Sequence, residues 1–196
     1  MIKSYNDYLE YLEADKVALG RTGKKPSLQD LVWQFEITMR KYEYLINCKN
    51  SFIWKGAKMW INFKYFLLSV LCGFEIPINV FGKGLSIAHK GTIVINGSTR
   101  IGENCRLHVC VNIGTIPGCS GVAPVLGDNV YIAPGVKIYG KVQIASGIMI
   151  GANSVVNKSF TEENITIAGS PAKKISDLGR FEIEKRNKEK EQMLFF

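Results

Sequence analysis

His89 and His108 are the only histidines in this 196-residue chain. Imidazole is the one side chain whose ordinary pKa lies near neutrality, so chemistry that needs a neutral base at pH 7 falls to one of these two. Such a base takes the proton of a hydroxyl as that hydroxyl attacks. Glu75 is the sequence candidate to orient His89 through its other ring nitrogen, the usual role of a carboxylate beside a catalytic imidazole. His89 lies six residues before Ile95, and an unbroken six-residue register would turn it inward as a core histidine. His108 follows Leu107 by one, where it either lines a cleft or sits exposed at a turn.

The cysteines Cys48, Cys72, Cys105, Cys110 and Cys119 form an odd set with no CxxC pair. That pattern argues against a disulfide framework and a zinc knuckle, and the expectation is a reducing, cytoplasmic setting with no metal.

The element that must position the histidines is a repeat. Ile95, Ile101, Leu107 and Ile113 are spaced by six, as are Leu126, Ile132, Ile138, Ile144, Ile150 and Val156. A six-residue period is neither an α-helix nor a hairpin meander; it describes short flat strands with one residue per unit pointing inward, each coil stacking on the next. The following position is small or a turn former in most units, as in Gly102, Gly114, Gly127, Ala133, Ala145 and Gly151. Thr99, Val111, Val130, Val136 and Val142 hold a second recurrent small or β-branched position. The step from Ile113 to Leu126 is thirteen, so a loop, roughly Thr115 to Pro124, is inserted there.

Residues 1–75 read as helical, with apolar residues at three- and four-residue spacing in Tyr8, Leu9, Leu12 and in Leu31, Val32, Phe35, Met39. Ser27 followed by Asp30 resembles a helix start. From Lys55 to Phe74, Trp60, Phe63, Phe66, Leu67 and Leu71 form a further stripe, read as core. A basic membrane-surface helix is the lesser alternative, because Lys55, Lys58 and Lys64 interleave with the aromatics. Met1 to Glu10 has no apolar run and is not expected to be a signal peptide. The uncharged stretch Tyr65–Phe74 is too short to span a bilayer. Residues 176–196 carry mixed charge and read as a terminal helix or tail.

Hydrophobic residues make up 46% and charged residues 21%, a globular composition that excludes a disordered or collagen-like chain. The net charge of +8 favours an anionic partner. No basic stripe with interleaved stacking aromatics runs through the repeat, so nucleic acid is not expected.

The repeat register, the element Gly84-Leu85-Ser86-Ile87-Ala88-His89-Lys90-Gly91-Thr92-Ile93-Val94-Ile95 and the ending Ala168-Gly169-Ser170-Pro171-Ala172-Lys173 resemble the hexapeptide-repeat acyltransferases, in their serine-acetyltransferase-like branch. The resemblance runs from about Ile76 to Ile175. It implies a mainly β fold, a left-handed parallel β-helix at 76–175 with an α-helical region at 1–75 and a charged helix or tail at 176–196. It also implies a homotrimer with active sites between subunits, acetyl-CoA as donor, and His89 as general base. CoA carries anionic phosphates and an amide-bearing arm. Lys173 and Lys174 are expected to clamp the phosphates, and Ala133, Gly135, Ala152 and Asn153 to let the arm lie against backbone.

The chain departs from the cysteine-pathway enzymes in three places. Its helical region is short, Phe74 stands where they place an Asp with Glu75 one step away, and the inserted loop holds no histidine. The short helical N-terminus looks more like the relatives associated with capsule and exopolysaccharide synthesis. The expected acceptor is therefore a sugar hydroxyl met by Asn112, Thr115, Ser120 and Tyr139, with serine O-acetylation as the alternative and a non-catalytic binding solenoid as the lesser one. A cytoplasmic enzyme, at the inner face of the membrane if the N-terminal helices bind lipid, is the expected setting.

Overall fold

The structure is a computed structural model that describes residues 1–116, 118 and 121–193. Three helices come first: α1 (Tyr5–Ala18), α2 (Leu31–Cys48) and, after a 3₁₀ turn at Phe52–Trp54, α3 (Lys55–Cys72). The Ser4 hydroxyl caps α1 by accepting the Asp7 N–H at 3.0 Å. Asp30, not Ser27, caps α2 by accepting the Trp33 N–H at 3.3 Å; Ser27 contributes only its carbonyl, to the Asp30 N–H. α3 ends at Gly73, whose φ of 77° is a left-handed cap that suits glycine.

The chain then runs through β1 (Phe74–Glu75), β2 (Ser86–Ile87), β3 (Ile93–Ile95), β4 (Arg100–Ile101), β5 (Arg106–Leu107), β6 (Val111–Gly114), β7 (Val125–Leu126), β8 (Tyr131–Ile132), β9 (Lys137–Tyr139), β10 (Gln143–Ile144), β11 (Met149–Ile150), β12 (Val155–Val156), β13 (Thr166–Gly169) and β14 (Ala172–Ser176) before α4 (Arg180–Met193). The strands form three sheets in the orders β1-β3-β6-β9-β12, β4-β7-β10 and β2-β5-β8-β11-β13-β14. All pairings are parallel except the last, where β14 turns back antiparallel on β13. Each sheet is one face of a coil, and successive strands in a sheet belong to successive turns.

The six-residue register accounts for this shape. All ten aliphatics of the register are buried, and so are Thr99, Val111, Val130, Val136 and Val142, so every face sends side chains to one shared interior. The inserted loop leaves the coil between β6 and β7 without shifting the stack, since Arg100 still pairs with Val125 and Ile101 with Leu126.

The open end of a parallel coil presents backbone groups that need partners. Here α1 and α2 supply them from charged side chains. Asp15 accepts the Leu85 N–H at 2.8 Å, Glu36 the Ile87 N–H at 3.1 Å and Glu43 the Asn79 N–H at 2.6 Å. Arg40 donates to the carbonyls of Phe81, at 3.1 Å, and Gly82, at 2.6 Å. The same fully buried guanidinium holds Asp15 at 2.7 Å and Glu43 at 3.0 Å. Burial opposes its charge, but Asp15 and Glu43 more than offset that and raise its pKa. Glu36 is pushed the other way: burial and the nearby Asp15 raise its pKa well above the carboxylate range.

The aromatic stripe of α3 departs from the core expected of it. Trp60 is 66% exposed, Phe63 57% and Phe66 62%, and Leu67 and Leu71 are exposed as well. The helix packs through the buried Ile61, Leu68 and Cys72 and through Tyr65, whose ring stacks on Phe35. The 3.6-residue period correctly gives α3 an apolar face, but a second face, carrying Ile61 and Leu68, meets the rest of the molecule.

Arg40→Met should remove about 3–5 kcal/mol of stability in urea unfolding, because it leaves two buried carboxylates without their cation. Lys174→Ala, which breaks solvent-screened contacts, should leave the unfolding midpoint nearly unchanged. An unfolding midpoint unchanged in Arg40→Met would dismiss the anchoring role of this cluster.

Candidate functional site

His89 and His108 come together at the corner that follows β2 and β5, where Ile87 pairs with Leu107 in adjacent turns of the coil. Their ring centroids are 6.1 Å apart, and Tyr131 lies 5.1 Å from the His108 ring on the other side. Contrary to the inward position that an unbroken register gives it, His89 is exposed. The register breaks at Lys90 and Gly91, where the chain rounds the corner toward β3; Gly91 donates its N–H to the Cys72 carbonyl at 2.9 Å and so ties this corner to the end of α3.

His108 is half-buried, and among the described residues its Nε2 has no hydrogen-bond partner. Loss of solvent, then the charge of Arg106, then His89 lower its pKa below the ordinary value. Arg106 also donates to the Ser86 hydroxyl at 3.1 Å. Arg106 and Tyr131 were not among the residues singled out from the sequence. The signal was present, since each stands one before an inward aliphatic, Leu107 and Ile132, and such positions face outward on the same sheet.

Glu75 pairs in register with Val94, not with the His89 segment, and among the described residues no hydrogen bond joins it to His89. It lies instead in a groove of about 680 Å³ between α3 and the first strands of its sheet, lined also by Asn62, Tyr65, Phe66, Val70 and Thr92. The Tyr65 hydroxyl donates to the Ile76 carbonyl at the floor of this region. Lys90 stands close enough to Cys72 to offset part of the rise that burial imposes on that thiol, so a cation stands at the His89 end. Asn112 and Tyr139 share the Glu75 sheet, pairing with Lys137 and Gly114. Thr115 follows β6 directly. Ser120 and Cys119 of the inserted loop lie outside the described residues.

Ala133, Gly135, Ala152 and Asn153 do stack in adjacent turns; the Asn153 N–H donates to the Pro134 carbonyl at 2.9 Å. The Asn153 Oδ1 lies 2.1 Å from where a Gly135 Cβ would be. The same Asn-over-Gly arrangement recurs at Asn104 over Gly84 and Asn164 over Gly147, with all three asparagines at a φ of 56°. Gly135 and Asn153 thus belong to a repeated corner ladder. That ladder occupies the space a bound arm was expected to use above Gly135. Ala152 is exposed beside it, and Ala133 is buried. Of the two lysines, Lys173 is exposed. Lys174 is held by Glu162 at 2.6 Å and Asp177 at 2.5 Å, which raises its pKa and spends its charge within the chain. Among the described residues no group of three His, Cys, Asp or Glu could hold a metal ion.

Residues 123–158 match the family model described as bacterial transferase hexapeptide (six repeats). The chain carries bacterial transferase hexapeptide repeats. It is 39% identical over 110 residues to a serine acetyltransferase of Staphylococcus epidermidis, an alignment that covers 55% of this chain and 51% of that protein. The chain thus spans about half the length of the curated relatives it matches. Its fold superposes on the serine acetyltransferase of Neisseria gonorrhoeae with a TM-score of 0.70 and 26% identity, over 90% of this chain and 70% of that one. It also superposes on the serine acetyltransferase of Brucella abortus in complex with coenzyme A, with a TM-score of 0.68 and 26% identity over 89% and 70%. The hexapeptide-repeat resemblance, in its serine-acetyltransferase-like branch, is what the comparisons find.

Followed by NMR, the His108 ring should titrate below the ordinary histidine midpoint, and Arg106→Gln should move that midpoint upward by removing one of its causes. A midpoint that does not respond to Arg106→Gln would refute this account of the corner.

Proposed function

We propose that this chain is an acetyl-CoA-dependent O-acetyltransferase that uses serine as acceptor, with His89 as general base. The observation that carries the reading is an exposed imidazole paired with a second histidine ring 6.1 Å away at a coil corner, in a chain whose relatives are named serine acetyltransferases. The acceptor hydroxyl gives its proton to His89 as its oxygen attacks the thioester carbonyl. The C–S bond breaks, the acetyl group passes to oxygen, and the proton on His89 goes to the departing CoA thiolate. Direct transfer needs no acyl-enzyme.

The sugar acceptor expected from the sequence finds no support among these relatives, and the serine alternative replaces it. Serine needs one anion for its ammonium and one cation for its carboxylate, and this reading gives those tasks to Glu75, which lines the groove, and to Lys90, the chain neighbour of His89. Of the expected CoA contacts, Lys173 fits a phosphate and Ala152 an exposed stretch of arm, whereas Lys174, Gly135 and Asn153 are engaged within the fold. The reading further includes a left-handed winding of the coil, a homotrimer with its sites between subunits, and the division into 1–75, 76–175 and 176–196. The parallel faces, the outward site residues and the fold of the serine acetyltransferases support these.

With purified protein, free L-serine should be acetylated with a kcat/KM of about 10⁴ M⁻¹s⁻¹ or more, and faster than free sugars. A higher kcat/KM for a sugar would overturn the acceptor. His89→Asn should lower kcat by about 10²–10⁴ while the KM for acetyl-CoA stays within about twofold, and wild-type turnover in that variant would remove His89 from the mechanism. Lys173→Ala should weaken acetyl-CoA binding and flatten its salt dependence, an effect that Lys174→Ala should not share. Equal effects of the two would refute the phosphate role of Lys173.

A further inference from the structure

The largest feature that the catalytic reading leaves unused is the outer face of α3. Met59, Trp60, Phe63, Leu67 and Leu71 are all exposed on it, and Phe52 and Ile53 of the preceding 3₁₀ turn, 81% and 80% exposed, extend the apolar surface at the N-terminal end of the helix. At about 100° per residue these helical side chains share an arc of roughly 120°. Lys55 and Lys64 fall near its two edges, where long stems can lie along apolar surface with the ammonium groups in water. Residues 44–74 contain Lys49, Lys55, Lys58 and Lys64 and no Asp or Glu.

We propose that this face lies on an anionic phospholipid surface, with the helix in the plane of the interface. Charge selects this occupant. A second copy docked through the same face would crowd the edge lysines Lys55 and Lys64 of both copies together, with no acidic residue in the segment to pair them. An anionic headgroup layer supplies the missing negative charge, and aromatic side chains such as Trp60 and Phe63 suit the headgroup boundary. Among the described residues no helix is long and apolar enough to cross a membrane, so the helix can lie on a bilayer but not span it. The face needs no further folding to bind, because α3 is already fixed by Ile61, Leu68 and Cys72 on its opposite side.

The full chain should co-sediment with vesicles of mixed phosphatidylglycerol and phosphatidylcholine and remain in solution with pure phosphatidylcholine. Binding should shift the Trp60 emission to the blue, and Trp60→Phe should abolish that shift. The double variant Trp60→Glu, Phe63→Glu should bind at least tenfold more weakly. Replacing Lys55, Lys58 and Lys64 with Gln should weaken binding roughly a hundredfold. All substituted positions lie outside the core, and the lysine variant tests the face without touching its apolar side chains. The proposal is overturned if the full chain ignores anionic vesicles, or if both variants bind as the parent does. It is overturned equally if Trp60→Glu, Phe63→Glu lowers the assembly mass by light scattering without vesicles, which would show that the face holds another copy.

Discussion

The buried guanidinium of Arg40 is the interaction on which the coil's beginning depends. A parallel coil closes its sides by pairing each turn with the next, but its first turn has no predecessor. Its backbone groups would face either water or a covering element. Asp15, Glu36 and Glu43 accept its N–H groups, and Arg40 donates to its carbonyls. Carboxylates placed this deep would be costly by themselves. Arg40 makes Asp15 and Glu43 tolerable as anions through direct ion pairs, while Glu36, which lacks such a pair, is driven toward its neutral form. The helical region therefore acts as the missing turn of the coil, held there by hydrogen bonds from Asp15, Glu36, Arg40 and Glu43.

That docking sets the site. β1 begins right after the α3 cap at Gly73, so the groove containing Glu75 has one wall of helix and one of sheet. The corner carrying His89 is tied back to the same helix end through Gly91 and Cys72. From His89 the coil takes over: one turn further along, His108 falls on the neighbouring level of the stack because Ile87 and Leu107 are in register. Positions across a coil are thus set by stacking distance, and positions across the groove by helix docking.

The two constraints differ in how far sequence reveals them. Each inward aliphatic of the coil serves the same purpose in every turn, so its spacing alone discloses the stack, its faces and the point where the loop leaves. The ladder of Asn over Gly has the same local origin, yet Gly135 and Asn153 were read as ligand contacts. One such pair looks like open backbone, and only its recurrence at Gly84 and Gly147 shows it as corner architecture. The stripe on α3 illustrates the opposite limit. Periodicity reports that Trp60, Phe63 and Leu67 share a side, but what covers that side depends on a docking direction dictated by Arg40, far away in sequence. The partners of Lys174, Glu162 and Asp177, are likewise invisible in the sequence, the fold-back of β14 on β13 being what sets this lysine's surroundings.

The corner's electrostatics give the two imidazoles unequal tasks. His108 is held neutral by partial burial and by Arg106, and any charge on His89 reinforces that preference because like charges at this separation repel. Under the proposed function the acceptor proton goes to His89, the exposed member, and His108 is left to offer a lone pair or an N–H beside it. Among the described residues the His108 Nε2 has no partner, so a polar group brought beside His89 can satisfy it. On that proposal, binding at this corner and proton transfer at His89 draw on one arrangement, a half-buried ring behind an exposed one.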